Sequence, residues 1–338
     1  MYRYIELFAG IGGLGDGFNK HDCKCVYANE IDKFAIKTYE ANNPGIKVDN
    51  RDVRTISHEE IPDHDILLGG FPCQSFSIIG VSYRKRKQVQ KPVGFDDEKY
   101  GDLFFEVARI VEAKRPRLVV LENVKNLKHA ENGKTFQTVM NTLIDLGYTV
   151  DYRIVNADIF LPQNRERVFI IARLGKEAFW MFPEIEYPLK RMVFRDILHA
   201  DDGLEEPEAP YTYLDENGQL EVNPKFIMSK RNWIHNLKKR NRLGRTDGFV
   251  YQITPLDGIS RCLTRYAYRI DILIEVPGCD RPRRLTPREC SRLMGFDSPR
   301  GSDFIIPVSN SQAYNQFGNA VCPPVSRVIA EDAIKLLD

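Results

Sequence analysis

Cys73 and Glu122 each follow a short apolar segment, in positions where their side chains could take part in covalent chemistry. Cys73 stands behind Pro72 after the segment 66–68, and Glu122 follows the segment 118–121. Both segments are typical of buried strands, and open α/β sheets collect ligands and catalytic groups at the carboxyl ends of their parallel strands. We therefore expect Cys73 and Glu122 to lie on one rim of the sheet, with Cys73 as a candidate nucleophile.

The backbone around Cys73 favours a stiff presentation of its thiol. Pro72 fixes its own φ at roughly −65° and biases Phe71 towards extended geometry. Gly69 and Gly70 let a ligand, a base or another backbone approach without a Cβ clash. The alternative is a buried structural cysteine, which is the commoner role of a single cysteine.

A glycine-rich turn separates the first predicted strand from the start of a helix. Gly10, Gly12 and Gly15 match the pattern G-x-G-x-x-G, and Glu30 follows about 20 residues after the first glycine, at the end of a second predicted strand. This order predicts a nucleotide-type pocket with a carboxylate for ribose hydroxyls. The alternative is a glycine turn that serves packing alone.

Three more polar side chains are candidates for the same rim. Asp52, at the end of a third predicted strand, could accept a hydrogen bond from an amino group such as that of adenine; a solvated turn aspartate is the alternative. Arg165 and Arg167 lie between two later predicted strands and would also face the rim.

Length and composition are those of an ordinary globular protein. With 338 residues, 43% hydrophobic and 28% charged, the chain can form one large domain and a smaller one. Its apolar runs are far too short for a membrane span and no signal peptide precedes the first strand, so we expect a cytoplasmic protein. Seven cysteines without C-x-x-C pairs support neither a disulfide framework nor a metal site.

Two segments concentrate positive charge although the net charge is only +1. Segments 81–91 and 228–245 each carry several lysines and arginines and no acid. Such local asymmetry indicates contacts with nucleic-acid phosphates. For the segment 81–91 the alternative is a solvated charged loop.

Strands and helices alternate along the first half of the chain, which predicts an α/β fold with a doubly wound, mostly parallel, Rossmann-like sheet. Beyond about residue 182 the alternation ends, with an acidic segment at 201–208, and we expect a second, smaller, irregular β-containing domain. A helix capped by Thr286 and ended by Gly295 lies within it, and the last helix should return to the first domain.

The predicted domains are 1–182 with 308–338, and 183–307. Predicted strands are 2–7, 26–29, a third strand that ends with 51–53, 66–68, 118–121, 149–156 and 167–173, and predicted helices are 31–42, 101–114, 133–146 and 325–337.

A nucleotide pocket beside a cysteine and a glutamate suits two classes of enzyme. One is a nicotinamide oxidoreductase, and the other is a group transferase with an adenosine-containing donor and covalent catalysis by cysteine. The oxidoreductase leaves both basic segments unexplained. The transferase accounts for them if its substrate is nucleic acid.

The order of these motifs resembles that of bacterial DNA (cytosine-5)-methyltransferases of the restriction-modification type. The resemblance covers the chain except for about 182–280, where that family keeps its variable target-recognition domain. The matching segments are Phe-Ala-Gly-Ile-Gly-Gly at 8–13, Glu30, Asp52 with Val53, Gly-Phe-Pro-Cys-Gln-Ser-Phe-Ser at 70–77, Glu-Asn-Val at 122–124, Gln163 with Arg165 and Arg167, Arg-Leu-Thr-Pro-Arg-Glu at 284–289, and Gly-Asn-Ala-Val at 318–321.

The resemblance implies that Cys73 adds to C6 of a flipped-out cytosine so that C5 can take a methyl group. It implies that Glu122 holds or protonates N3 and accepts from the N4 amine, which favours a pKa of Glu122 raised by burial. Arg165 would contact the base and help position the sulfur, with Arg167 in support. For both arginines the alternative is a structural salt bridge, and it is the favoured interpretation for Arg167.

The same resemblance implies S-adenosylmethionine as donor, S-adenosylhomocysteine as product and double-stranded DNA as substrate. Implied cofactor contacts are Phe8, Gly10, Gly12, Gly13, Leu14, Glu30, Ile31, Asp52, Val53, Pro72, Leu103, Asn319 and Ala320. Implied DNA contacts are Gln74, Ser75, Ser77, Ile79, Arg84, Lys85, Arg86, Lys87, Lys230, Arg231, Lys238, Lys239, Arg240 and Thr264. Ile79 departs from the family, which often has a polar residue there to fill the space of the flipped base.

We expect a monomer on DNA, associated with the nucleoid when bound, and a cognate restriction endonuclease that acts separately. A tRNA cytosine-5 methyltransferase of the same fold is the nearest alternative. A catalytically inactive DNA-binding regulator is another, although it would have no use for Cys73, Glu122 and Arg165.

Overall fold

The structure is a computed structural model that describes residues 1–72, 102–175, 189–243, 251, 253–265 and 272–337. The chain forms two units. The first consists of Met1–Asn156, Glu166–Ile185 and Pro323–Asp338, and the second of Ala157–Arg165 and Glu186–Cys322. The predicted boundaries at 182 and 308 differ from these, because 157–165 and 308–322 pack within the second unit.

Among the described residues, a seven-stranded sheet forms the centre of the first unit, in the order β3-β2-β1-β4-β5-β7-β6. Its strands are β1 Tyr2–Leu7, β2 Cys23–Asn29, β3 Val48–Asp49, β4 Ile66–Gly69, β5 Leu118–Val124, β6 Tyr148–Asn156 and β7 Glu166–Leu174. β1 pairs in parallel with β2 and β4, as do β2 with β3 and β4 with β5, whereas β7 runs antiparallel to β5 and β6. The predicted doubly wound, mostly parallel sheet is confirmed.

The antiparallel direction of β7 decides where its first residues lie. Arg167 pairs with Val124, the last residue of β5, so β7 starts at the rim where β4 and β5 end. The rim of strand ends predicted to carry the chemistry therefore gathers β4, β5 and the start of β7.

Helices cover the sheet and build part of the second unit. They are α1 Gly13–Asn19, α2 Lys33–Asn42, α3 Asp102–Lys114, α4 Lys134–Asp145, α5 Lys230–Leu243, α6 Pro287–Met294, α7 Asn310–Asn319 and α8 Pro323–Ile334. In α3, the side chains of Phe104, Val107, Ile110 and Val111 recur at helical spacing and are buried in the same core as the strands. Burial of that face holds α3 against the sheet.

Several predicted strand boundaries are wrong; the second strand, for example, begins at Cys23 and not at residue 26. The third strand is Val48–Asp49 and does not extend to residue 53, because Asp52 instead caps a 3-10 turn, Val53–Thr55, by accepting from the Arg54 backbone N–H. Polar Glu122 and Asn123 lie inside β5 rather than after it, since both keep ladder positions opposite Phe169 and Val168 of β7.

The carboxyl-terminal helix returns to the first unit, which confirms that prediction. The Ser326 hydroxyl donates to the Leu14 carbonyl, and Arg327 pairs with Asp16 at 2.7 Å. A Cβ on Gly17 would lie 2.4 Å from the Ser326 carbonyl, so only glycine allows α1 to approach α8 this closely.

The second unit contains short strands and a network of buried ion pairs. Its strands are β8 Thr212–Leu214, β9 Leu220–Val222, β10 Leu273–Ile274 and β11 Arg283–Arg284. As predicted, Thr286 caps α6 and Gly295 ends it in the left-handed conformation. The acidic segment is not simply solvated, because Glu205 pairs with Arg292 at 2.6 Å and Glu208 with Arg288 at 2.8 Å. Within the described residues, every helix is too short or too polar to cross a lipid bilayer.

Candidate active site

The glycine turn after β1 folds as the motif requires. Gly10 and Gly12 have φ values of 56° and 87°, and Phe8 also has a positive φ of 55°. Gly12 caps α1 in the left-handed conformation, which glycine adopts without a Cβ clash. Among the described residues, no atom lies within 4 Å of a Cβ placed on Gly10, so these residues leave space for a ligand beside the turn.

Glu30 closes this turn from the end of β2. One carboxylate oxygen accepts the Gly10 backbone N–H and the other accepts the Asp32 N–H, both at 2.9 Å. Burial raises the pKa of Glu30, although these backbone donors act in the opposite direction. Each oxygen can accept a second hydrogen bond, so the pair suits two hydroxyls on adjacent ribose carbons. The residues of the first unit therefore fit the ribose of an adenosine-containing donor.

Glu6 is a buried carboxyl group next to the glycine turn, and it belongs to none of the predicted site residues. One oxygen accepts the Gly15 N–H at 2.9 Å and the other accepts the Tyr39 hydroxyl at 3.1 Å. Burial raises the pKa of Glu6 to about 7. An acid among the buried residues Tyr4, Ile5 and Leu7 at the end of β1 is the signal that could have identified it.

The other predicted cofactor contacts of the first unit differ in exposure. Val53 and Leu103 are buried, whereas Ile31 is 62% exposed beside Glu30. Asp52 accepts from the Arg54 backbone and guanidinium, which lowers the pKa of its carboxyl group. Asp52 thus caps a turn, as in the alternative interpretation of a turn aspartate. Its contact with adenine stays a prediction.

The segment that leads to Cys73 is fixed against the end of β5. Gly69 pairs with Leu121, and a Cβ on Gly70 would lie 3.7 Å from a carboxylate oxygen of Glu122. The Asn123 side-chain amide donates to the Phe71 carbonyl at 3.1 Å. The structure therefore holds residues 69–71 beside Glu122.

Glu122 forms an ion pair with Arg167. The Arg167 Nε lies 3.1 Å from a Glu122 oxygen, with side-chain exposures of 16% and 11%. The favoured interpretation of Arg167 as a salt-bridge partner is confirmed, and its partner is the predicted catalytic acid. The predicted rise in the pKa of Glu122 stays a prediction.

Arg165 belongs to the second unit, where its guanidinium is buried. Its Nη1 donates to the Leu263 carbonyl at 2.8 Å and to the Cys262 sulfur at 3.3 Å. Its Nη2 donates to the carbonyls of Gly318 at 3.1 Å and Ala320 at 2.7 Å. These contacts use four of the five N–H donors of arginine. Arg165 thus joins two segments of this unit, and its predicted contact with the base stays a prediction.

Several predicted contacts fall in the second unit. Asn319 is exposed, Ala320 is buried and Thr264 is half-buried. On α5, Lys230, Arg231 and Lys238 are exposed, and Lys239 and Arg240 belong to the same helix. The sequence predicts no helix for this basic segment because its apolar residues are few.

The α5 helix is anchored by a small apolar cluster. Met228, Tyr251 and Leu273 are buried, with Trp233 packed against them at 4.7 Å between the Trp233 and Tyr251 rings. Its described cations are thus carried on a helix that the unit holds in place.

The remaining predictions concern residues outside the described part of the chain. These are the nucleophile Cys73 and the DNA contacts Gln74, Ser75, Ser77, Ile79, Arg84, Lys85, Arg86 and Lys87.

Comparisons with known proteins match the whole length of the chain. The family described as C-5 cytosine-specific DNA methylase matches residues 2–335. A DNA-cytosine methyltransferase of Escherichia coli K12 is 37% identical over 98% of this chain and 77% of its own. The type II methyltransferase M1.ScrFI of Lactococcus lactis subsp. cremoris is 39% identical over 100% of this chain and 79% of its own.

A solved structure supports the fold independently. The Entamoeba histolytica methyltransferase EhMeth superposes with a TM-score of 0.71 over 100% of this chain and 99% of its own, at 19% sequence identity. At that identity the likeness concerns the fold. The sequence matches show that this chain belongs to the C-5 cytosine-specific DNA methylase family.

Proposed function

We propose that the enzyme methylates C5 of a cytosine flipped out of a specific double-stranded DNA sequence, through covalent addition of Cys73 to C6. One observation carries this proposal: residues 69–71 are held beside Glu122. The Asn123 amide fixes the Phe71 carbonyl at 3.1 Å, and Cys73 follows Phe71 by two residues. A thiol and an acid supplied from neighbouring strand ends are the two groups that this reaction needs.

The chemistry follows from the weak nucleophilicity of cytosine C5. The Cys73 thiolate forms a bond to C6, and the ring electrons move so that C5 becomes an enamine-like carbon. S-adenosylmethionine supplies the methyl group when bound. After C5 has taken the methyl group, its proton leaves to a base, the bond between sulfur and C6 breaks, and the aromatic ring and the thiolate are restored.

Glu122 compensates for the charge that develops as sulfur adds. In its protonated form it donates to ring N3, and its other oxygen accepts from the N4 amine. The 3.1 Å contact with Arg167 orients the carboxyl group and holds it at the rim. Arg167 therefore positions the acid, and Arg165 is proposed to contact the base as well as the carbonyls that it binds.

The donor would be held by the glycine turn and the ends of β2 and β3. Glu30 would bind the ribose hydroxyls, with Phe8, Gly10, Gly12, Gly13 and Leu14 lining the turn. Ile31, Asp52, Val53, Pro72 and Leu103 are proposed for the adenine and methionine parts, and Asn319 and Ala320 as further contacts. The open space beside Gly10 supports this assignment.

Base flipping is required because a stacked cytosine cannot expose C6 to a thiol. Its cost of a few kcal/mol must be offset by protein contacts. We assign these contacts to Gln74, to the loop from residue 75 to about residue 98, and to the cations of α5, which would bind phosphates and so position the duplex. Thr264 is proposed as a further DNA contact.

The enzyme is proposed to act as a monomer, in a bacterial cell alongside a restriction endonuclease that acts separately. The name type II methyltransferase, carried by a relative at 39% identity, supports the part of this proposal that concerns a restriction system. Sedimentation of the enzyme bound to a short duplex would test the monomeric state. The expected mass is that of one enzyme molecule plus one duplex, and the mass of two enzyme molecules on one duplex would contradict the proposal.

Transfer of labelled methyl groups tests the proposed function. Wild-type enzyme should label C5 of cytosine in mixed-sequence duplex DNA and leave tRNA unlabelled, while Cys73→Ser should label neither. Preferential labelling of tRNA would instead support the tRNA enzyme, which the DNA-cytosine methyltransferase relatives do not favour. Labelling of DNA by Cys73→Ser at the wild-type rate would exclude Cys73 as the nucleophile.

A further inference from the structure

Gln163 is completely buried, and its side-chain amide joins two segments of the second unit. Its Oε1 accepts the Leu263 backbone N–H at 2.7 Å, and its Nε2 donates to the Leu293 carbonyl at 3.1 Å. Leu293 lies in the last turn of α6, where carbonyls have no partner within the helix. Gln163 therefore fastens the segment around Leu263 to the end of α6.

The backbone next to Gln163 contacts the same segment. The Ser260 N–H donates to the Pro162 carbonyl at 2.7 Å, and the Asn164 N–H donates to the Ser260 carbonyl at 2.9 Å. Arg165 completes this pairing by donating from Nη1 to the Leu263 carbonyl at 2.8 Å. Both backbone polar groups of Leu263 are thus held by side chains of the Gln-x-Arg motif.

Gly318 packs against the next peptide, between Thr264 and Arg265. A Cβ on Gly318 would lie 2.2 Å from the Thr264 carbonyl carbon and 2.1 Å from the Arg265 nitrogen, so the two backbones are in direct contact. Arg165 also holds the Gly318 carbonyl at 3.1 Å. We call Gln163, Arg165 and Gly318 the Thr264 cradle, because together they contact the backbone on both sides of Thr264, from the Leu263 N–H to the Arg265 nitrogen.

We propose that Gln163 is a positioning residue for DNA recognition, which places Thr264 against the DNA by fixing the backbone N–H of Leu263, the residue that precedes Thr264. This inference rests on the proposed function, in which Thr264 is a DNA contact. The described contacts of the Gln163 amide are all to protein groups of the second unit. Loss of this amide should therefore weaken the binding of DNA more than methyl transfer or the binding of the donor.

The experiment compares full-length wild type with Gln163→Met, which keeps the length of the side chain and removes both hydrogen bonds to the backbone. Thr264→Val and the double variant complete a cycle that measures coupling between the two residues. Ile197→Ala is the control for lost stability, since Ile197 is a buried apolar residue of the same unit. For each variant we would measure kcat, KM for duplex DNA, KM for S-adenosylmethionine and the unfolding temperature.

We expect Gln163→Met to raise KM for DNA about tenfold or more and to change kcat and KM for the donor less than about threefold. We also expect the double variant to be no worse than Thr264→Val alone. An unchanged KM for DNA, additive effects in the double variant, or a uniform loss matching that of Ile197→Ala would each overturn the inference. Failure of the proposed function would be distinct, because wild type itself would then not methylate duplex DNA.

Discussion

At the scale of residues, the active rim depends on contacts that fix backbone rather than on reactive groups alone. Asn123 is buried and donates to the Phe71 carbonyl at 3.1 Å, two residues before Cys73. Its neighbour Glu122 is oriented by Arg167. Adjacent residues of β5 therefore have different tasks: one supplies an acid, and the other holds the backbone that leads to the nucleophile.

The first prediction concerns the hydrogen bond from Asn123. In Asn123→Ala, the Phe71 carbonyl loses its donor and the segment leading to Cys73 can shift, so kcat should fall by roughly tenfold to a hundredfold. Binding of S-adenosylmethionine should change little, because Glu30 and the glycine turn are untouched. Rapid-quench kinetics with isothermal titration would measure both. A wild-type kcat would show that Asn123 does not position the nucleophile.

The second prediction concerns stability and the buried Glu6. Its pKa is raised by burial to about 7 from an ordinary value of 4.5, so the folded protein binds this proton more tightly than the unfolded chain. The resulting contribution to stability is present below pH 4.5 and is lost as the pH rises through 7. Glu6→Gln stays neutral and still accepts from Gly15, so it should remove this loss.

Denaturant unfolding at pH 5 and pH 8 would test the Glu6 prediction. The stability of Glu6→Gln relative to wild type should increase between these values, by at most about 3 kcal/mol. Glu59→Gln changes an exposed glutamate and should keep the wild-type dependence on pH. A relative stability of Glu6→Gln that stays constant or decreases would contradict the buried, protonated carboxyl group.

At the scale of elements, the sequence predicts the strands and helices that have a periodic apolar pattern or a local capping motif. It does not predict the elements whose bounds depend on tertiary contacts. The buried strands and the cap and end of α6 are predictable because apolar runs, Thr286, Pro287 and Gly295 act locally. The prediction of the third strand is wrong because only two of its residues, Val48–Asp49, pair with β2. Two residues are too few to show the alternation of apolar and polar residues that marks a strand. The helix α7 is not predicted because three of its ten residues are asparagine and one is glycine, which are poor helix formers.

The same division applies to the site. The glycine turn and the acid at the end of β2 follow from spacing, and the strand ends place Glu122 on the rim. The tertiary partners of Arg165 could not be predicted, because Leu263, Gly318 and Ala320 are about 100 to 155 residues away and offer carbonyls, which every residue has. Glu6 belongs to no spacing motif, so only its place within the apolar end of β1 marks it in the sequence.

The third prediction concerns the contact between α1 and α8. In Gly17→Ala the better helix propensity of alanine contributes about 1 kcal/mol. The new Cβ would lie 2.4 Å from the Ser326 backbone, and such overpacking typically costs about 1–3 kcal/mol, so the net effect should be destabilising. Thermal unfolding would measure it, with Gly258→Ala as control, since a Cβ there comes no closer than 3.4 Å. A stabilised Gly17→Ala would show that α8 can move away at no cost.

At the scale of the whole molecule, DNA binding must come from local charge, because the net charge is only +1. The described cations of α5 are exposed on a helix anchored by Met228, Tyr251 and Leu273. An anchored row of cations can neutralise phosphates without reading bases. The second unit thus combines a charged helix with the Thr264 cradle, as expected of a unit that grips DNA.

The fourth prediction concerns the dependence of DNA binding on salt. Each lost phosphate contact should reduce the slope of log K against log salt by about 0.9. Lys230→Gln with Arg231→Gln should therefore reduce the slope by about 2 if both residues bind phosphates. Lys20→Gln with Lys24→Gln removes the same charge from exposed positions of the first unit and should leave the slope unchanged. Equal slopes for wild type and the α5 variant would exclude this helix from the DNA interface.

The most direct test of the central claim is covalent trapping on duplex DNA that contains 5-fluorocytosine, with S-adenosylmethionine present. Fluorine at C5 cannot leave as a proton does, so the bond between Cys73 and C6 should persist. Wild type should migrate with the DNA on a denaturing gel, and Cys73→Ala should not. Absence of an adduct with an active wild-type enzyme, or an undiminished adduct with Cys73→Ala, would contradict covalent catalysis by Cys73.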